Sequence, residues 1–153
     1  MKSNVDIAAE QIKLILEDMN LRGLIFNMED IKTRIDIDNK TPYQNVFMQE
    51  IEYMNMLMEA MVNSLEEISQ GLQGLLTISE AMEQIIDSLA LNRVPVAWTN
   101  LAYPSKRGLA SWLVNLMKRI DQLNQFKDDP TTIPKVVVIS RLFNPQSFLT
   151  AIK

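Results

Sequence analysis

Neither cysteine nor histidine occurs anywhere in the 153 residues. Without cysteine there is no disulfide framework, no zinc thiolate site and no thiol nucleophile. Without histidine the chain lacks the side chain that most often moves protons and binds transition metals near neutral pH. A di-metal helical bundle of the Glu-x-x-His kind is excluded. Glycine is scarce, at four residues, and none of the four belongs to a Gly-x-x-x-x-Gly-Lys-Ser/Thr phosphate loop. Gly71-x-x-Gly74 follows a helical segment rather than a strand, so it reads as a helix end. The N-terminus lacks the apolar core of a signal peptide, and no window approaches the roughly 18 apolar residues of a membrane span. The expectation is a cytoplasmic protein with no membrane partner. Positive charge is also short, with 15 Lys and Arg against 19 Asp and Glu, a net of −4. The basic clusters Lys106-Arg107 and Lys118-Arg119 sit among apolar residues, so the basic face of a nucleic-acid binder is missing.

What the sequence does have is apolar periodicity. Hydrophobic residues make up 47% of it, too many for a disordered linker. A strict 4-3 alternation runs Phe47, Ile51, Met54, Met58, Met61, Leu65, Ile68, Leu72. The same steps recur in Val5, Ala9, Ile12, Leu16, Met19, in Ile78, Met82, Ile85, Leu89, and in Leu109, Leu113, Leu116, Ile120, Leu123. A 3.5-residue repeat puts each set on one stripe of an α-helix, and such helices pack nearly antiparallel at about 20°. The fold class expected is all-α, an antiparallel helical bundle with one long helix.

Boundary residues agree. Thr41-Pro42 supplies an N-cap and first-turn proline for the long helix, and Gly71 and Gly74 flank its end. Thr77 and Glu80 have capping-box spacing. Pro95 and Pro104 bracket an irregular connection carrying Trp98 and Tyr103, Ser105 starts the next helix, and that helix fades near Phe126 before Asp128-Asp129-Pro130. Asn144-Pro145 opens a last helix. Val136-Val137-Val138-Ile139 reads as a short strand with no evident partner. An orphan strand and an unfinished helix together predict a protein truncated at its C-terminal end.

Candidate sites for chemistry reduce to bland readings. Asp36-Ile37-Asp38-Asn39-Lys40 starts like a calcium loop but has Lys at the fifth position and lacks the later Gly and Glu. Asn39-Lys40-Thr41 fits a glycosylation sequon, which has no use in a cytosolic protein. Glu50, Glu52, Glu66 and Glu67 read as solvated charges on the polar side of the long helix. Met54, Met58 and Met61 lie in the apolar stripe and read as core, whereas Met48 and Met56 fall off it and are free to meet a neighbour. Trp98, Tyr103 and Trp112 read first as buried residues and second as partner anchors. With Met48, Met56, Phe143 and Phe148 they form the candidate intramolecular or partner interface. No catalytic, cofactor-binding or metal-binding residue is expected.

From Thr41 onward the sequence resembles the C-terminal region of dynein heavy chains, most closely axonemal ones. The residues carrying the likeness are Thr41-Pro42-Tyr43, Met54-Asn55, Gly71-Leu72-Gln73-Gly74 and Leu76-Thr77-Ile78-Ser79-Glu80-Ala81-Met82-Glu83. They continue through Val94-Pro95-x-x-Trp98, Ala102-Tyr103-Pro104-Ser105, Ala110-Ser111-Trp112-Leu113 and the run from Leu142 to Ile152 that contains Asn144-Pro145. Phe26-Asn27-Met28-Glu29-Asp30-Ile31 resembles the segment leading in from the last AAA+ module. Residues 1–40 are therefore expected to be a helical lead-in, and 41–153 the C-terminal helical domain. The family usually has an aromatic residue and a Gly around the Ser where this sequence has Ile139-Ser140-Arg141. It also continues well past Ile152, often into a β-rich subdomain, which matches the expected truncation.

The resemblance implies a parent that is an ATP-driven, minus-end-directed microtubule motor of the cytoskeleton, in the axoneme of a cilium or flagellum. ATP and Mg would be bound elsewhere in that parent, and this fragment would hold no cofactor. Its partners would be the AAA+ ring modules of the same heavy chain, with microtubule and intermediate or light chains engaged by other parts. The implied role is non-catalytic, to brace the ring and modulate its movement. The rival reading from the residues alone is a free-standing helical adaptor that takes a partner helix into a Met-rich groove.

Overall fold

Ser3 opens the first helix. Its hydroxyl accepts the Asp6 amide at 3.2 Å while the Asp6 carboxylate accepts the Ser3 amide, a reciprocal capping box. The computed structural model describes residues 3–34, 42–128 and 143. Among them, seven α-helices follow in order: α1 (Asn4–Lys13), α2 (Leu21–Leu24), α3 (Met28–Arg34), α4 (Pro42–Leu72), α5 (Glu80–Ala90), α6 (Val96–Thr99) and α7 (Leu109–Asp128). A π-helical turn at Leu14–Asp18 joins α1 to α2. No strand occurs among the described residues. The fold is all-α and helical, as the periodicity requires. The strand expected at Val136–Ile139 and the helix expected after Asn144-Pro145 lie outside the described residues.

The helices divide into two compact units. The first is built from residues 3–25 and 56–112, the second from residues 26–55, 113–128 and 143. In the first, α1 packs on α5. The buried stripe of α1 is Ala8 and Ile12, continued by Ile15 in the π turn. The expected stripe began at Val5, which is 46% exposed. Both series are 4-3 spaced and share Ile12, so period alone does not choose between them. A second correction concerns α5. Its N-cap is Ser79, not Thr77: the Ser79 hydroxyl accepts the Met82 amide at 3.2 Å and the Met82 sulfur receives the Ser79 amide at 3.4 Å. Gly71 leaves room for the segment that folds back over the end of α4. A Cβ on Gly71 would stand 3.0 Å from Ile78 and 3.1 Å from Met82, while Gly74 takes φ +83° beyond the helix end.

A third correction is the start of α7, at Leu109 rather than Ser105. A residue of another segment caps it. Asn92, just past the end of α5, does so from a distance in a left-handed conformation (φ 57°). Its carbonyl accepts the Leu109 amide at 3.0 Å and its side-chain oxygen accepts the Ala110 amide at 3.1 Å. Two otherwise orphaned helix amides are satisfied by one residue of another segment. Asn92→Asp should be tolerated, because it keeps the acceptor. Asn92→Gly keeps the left-handed backbone but loses the side-chain bond, and should cost only a few tenths of a kcal/mol, roughly 0.3, by urea denaturation.

The second unit is organised around aromatic rings. Tyr43 and Phe47 on α4 and Phe126 on α7 form a closed set, with centroids 4.8, 5.0 and 6.1 Å apart. Around it α3 is capped by Asn27, whose side chain accepts the Asp30 amide at 3.1 Å. The Arg34 guanidinium donates to the Lys127 carbonyl at 3.1 Å, satisfying one of the orphan carbonyls at the end of α7.

Candidate functional site

The face of α4 decides what this protein can offer a partner. The 4-3 stripe from Phe47 to Ile68 is buried throughout. In the second unit the buried set is wider than a stripe: Tyr43, Gln44, Val46, Met48, Glu50 and Asn55 join Phe47, Ile51 and Met54. At 100° per residue that covers more than half of the helix circumference. Polar residues on the flanks of the core face are what conceal this width in the sequence.

Two of them have identifiable work. Asn55 pairs with the backbone of Phe26 in both directions, accepting its amide and donating to its carbonyl, each at 2.9 Å. It behaves as a short length of strand and fixes the segment before α3 on α4. Glu50, expected among the solvated carboxylates, is 1% exposed and accepts the backbone amide of Phe143. The other carboxylates are conventional. Glu66 forms a two-point pair with Arg22 at 3.0 and 2.8 Å on the surface, and Glu52 and Glu67 are exposed. The signal that could have revealed Glu50 and Asn55 is the run of apolar doublets Val46-Phe47, Leu57-Met58 and Met61-Val62. Doublets announce a broad core face, and Glu50 and Asn55 lie on its two flanks, whereas Gln49, Glu52 and Glu59 between the same doublets are exposed.

The interface candidates separate. Met48 is buried with Met54, Met58 and Met61, so these four line no open groove, whereas Met56 is 54% exposed. Trp98, Tyr103 and Trp112 are brought together in the first unit. Trp98 lies 6.3 Å from Trp112, and Tyr103 lies 6.0 Å from it, all buried. The Trp98 indole donates to the Ser64 hydroxyl at 3.2 Å, and Ser64 in turn donates to the Met61 carbonyl at 2.9 Å. Phe143 is half-buried and its ring lies 5.8 Å from that of Tyr53. Phe148 lies outside the described residues.

Burial also shifts a titration. Burial pushes the Tyr43 phenol from 10.0 up to about 12. The fold favours the protonated form, so this contribution is fully present below pH 10 and is lost as pH rises toward 12. Denaturation midpoints should fall more steeply across that window in the unaltered protein than in Tyr43→Phe. Equal slopes would contradict the assignment. Among the described residues no group of three or more Asp or Glu is placed to hold a metal ion, and no helix is long and apolar enough to cross a membrane.

The sequence has relatives among known proteins. The family model for the C-terminal domain of the dynein heavy chain matches residues 1–153. The protein belongs to that family. It is 47% identical over 147 residues to the dynein beta chain of the flagellar outer arm of Chlamydomonas reinhardtii, a match over 95% of this sequence and 3% of that protein. It is 45% identical over 144 residues to the ciliary dynein beta chain of Tripneustes gratilla, a match over 94% of this sequence and again 3% of the relative. Against mouse dynein axonemal heavy chain 17 the identity is 42% over 144 residues, 93% of this sequence and 3% of that one. This dynein C-terminal sequence thus spans about 3% of the length of the curated relatives it matches.

Proposed function

We propose that this protein is part of an axonemal dynein heavy chain, and that within it the helices act as a non-catalytic brace on the AAA+ ring, modulating ATP-driven, minus-end-directed movement along microtubules in a cilium or flagellum. The likeness to flagellar, ciliary and axonemal heavy chains supports the parent and the location. The observation that carries the mechanical role is α4 itself. It has 31 residues, about 45 Å at 1.5 Å per residue, and its core face is buried from Tyr43 to Ile68. A helix held by side-chain packing along so much of its length resists bending, and stiffness is what a brace requires. The sequence offers no phosphate loop and no histidine or cysteine, so nucleotide chemistry is assigned to other modules of the parent. Those modules, with the microtubule and the associated chains they engage, are the partners this reading implies.

Two measurements test the proposal. Titration of this protein with Mg-ATP should give no saturable heat, and a micromolar dissociation constant would overturn the non-catalytic role. Reading the transcript on either side of these residues should reveal one long open frame with phosphate-loop motifs. A frame confined to these residues would favour the adaptor instead.

A further inference from the structure

We propose that the junction at Asn92, where residues 91–96 meet residues 104–109, is a docking surface for an acidic protein segment. The sequence separates charge here. Residues 88–120 hold Arg93, Lys106, Arg107, Lys118 and Arg119 and no Asp or Glu, although the whole chain has 19 carboxylates against 15 cations. Lys118 and Arg119 lie farther along α7, but the fold brings the segments of the other three together. Arg93 follows Asn92, and Arg107 precedes Gly108. The Asn92 carbonyl accepts the Leu109 amide at 3.0 Å, and a Cβ on Gly108 would stand 3.0 Å from the Asn92 side chain. Arg93, Lys106 and Arg107 are exposed, and among the described residues none of them forms an ion pair. The Arg107 guanidinium directs one donor to a neutral group, the Ser111 hydroxyl, at 3.1 Å. Like charges gathered without counter-charges repel one another, so arriving carboxylates relieve the repulsion and are attracted besides.

The frame under these charges is fixed. The Arg93 amide donates to the Ser88 carbonyl at 2.8 Å and the Arg107 amide to the Ser105 hydroxyl at 3.2 Å, while buried Pro95, Tyr103 and Leu109 anchor the two segments. Binding to groups already held in place loses less freedom than binding to loose ones. Leu91 and Val96, on either side of Arg93 in sequence, are 56% and 70% exposed. A ligand suited to this mixture carries carboxylates interleaved with apolar side chains, which is the chemistry of an acidic amphipathic peptide segment. Nucleic acid fits less well. Trp98, Tyr103 and Trp112 are buried, so none of the three offers a platform on which bases could stack. An anionic bilayer also fits less well. Outside residues 88–120 the chain has ten Lys and Arg against nineteen Asp and Glu, an excess that repels a broad negative surface more than a narrow one. Docking of this kind does not depend on the bracing role.

Titration of this protein with a synthetic peptide of repeated Glu-Glu-Leu triplets, followed by amide chemical shifts in NMR, tests the surface. Shifts are expected at residues 91–96 and 104–111, with an affinity that falls as salt is raised. Neutralising the three cations together (Arg93→Gln, Lys106→Gln, Arg107→Gln) should weaken binding roughly tenfold, while Lys13→Gln on α1 leaves it unchanged. Lys106→Gln alone removes no hydrogen bond among the described residues and should weaken binding roughly threefold, so it decides if the triple variant folds poorly. Absence of saturable binding, shifts spread over other cationic residues, or equal affinity in Lys106→Gln and Lys13→Gln overturns the proposal. Tighter binding at these residues by vesicles of phosphatidylserine and phosphatidylcholine, or by single-stranded oligothymidylate, overturns it as well and assigns the surface to lipid or nucleic acid.

Discussion

Replacing Met58 with Asp should cost on the order of 4 kcal/mol or more, while replacing its neighbour Glu59 with Ala should change stability by no more than about 0.5 kcal/mol. Met58 is fully buried and sits at the centre of the 4-3 stripe of α4. The substitution removes its packing and leaves a carboxylate with no arranged partner in an apolar surround. A domain of ordinary stability has about 5–15 kcal/mol in total, so a largely unfolded protein at 37 °C is the expected outcome. Glu59 is exposed, its carboxylate supports none of the core packing, and alanine is the better helix former. Circular dichroism melts of the two variants decide the matter. Similar melting temperatures would refute the placement of the stripe.

The second large effect concerns Trp98, which separates an internal role from a partner-anchor role. The side chain is fully buried, stacked near Trp112, and bonded to Ser64. Trp98→Ala should therefore destabilise the protein by about 3–5 kcal/mol in the absence of any partner. Trp98→Phe keeps most of the apolar contact and loses the indole bond, so about 1–2 kcal/mol is expected. Trp112 is the internal control. Its indole nitrogen is buried without a hydrogen-bond partner, so Trp112→Phe gives up no such bond and should cost less than Trp98→Phe. Urea denaturation of the three variants gives the order. A neutral Trp98→Ala would mean that the residue acts on a partner and not within the bundle.

How much of this was legible in the sequence depends on where each interaction comes from. α4 and α7 were legible because their apolar stripes are long. The series from Phe47 to Ile68 and from Leu109 to Leu123 are buried as the period requires. α1 was only half legible, since a ten-residue helix followed by a π turn supports two overlapping series through Ile12. The features the sequence concealed are those in which a polar side chain serves a distant backbone. Asn92 caps α7, Asn55 pairs with Phe26, and Glu50 receives Phe143. Local rules put an asparagine or glutamate of this kind at a turn or on a wet face. The partners lie 18, 29 and 93 residues away, where no local rule looks. The Ser79 cap shows the same limit at short range. Thr77 and Ser79 are both competent caps, and the close approach of Ile78 and Met82 to Gly71 favours the later one.

The candidate interface was legible in composition and not in placement. Five aromatic or sulfur-bearing residues singled out by type, Met48, Trp98, Tyr103, Trp112 and Phe143, are buried or half-buried within the fold. Met56 stands open because it lies on the outer side of α4, as its position off the stripe implies. Side-chain type indicates capacity for contact, but only packing shows whether that capacity is already used.

If these helices brace a motor whose chemistry happens elsewhere, softening them should uncouple movement from nucleotide turnover. Microtubule gliding by the intact motor with Met58→Ala in its heavy chain, which loosens the packing of α4 without burying a charge, measured together with ATP turnover, tests this most directly. Nucleotide turnover without microtubules should persist while gliding velocity and microtubule-stimulated turnover change, because loosening α4 weakens the brace and leaves the nucleotide sites in place. Gliding and stimulated turnover indistinguishable from the unaltered motor, with α4 shown to be loosened, would contradict the bracing role.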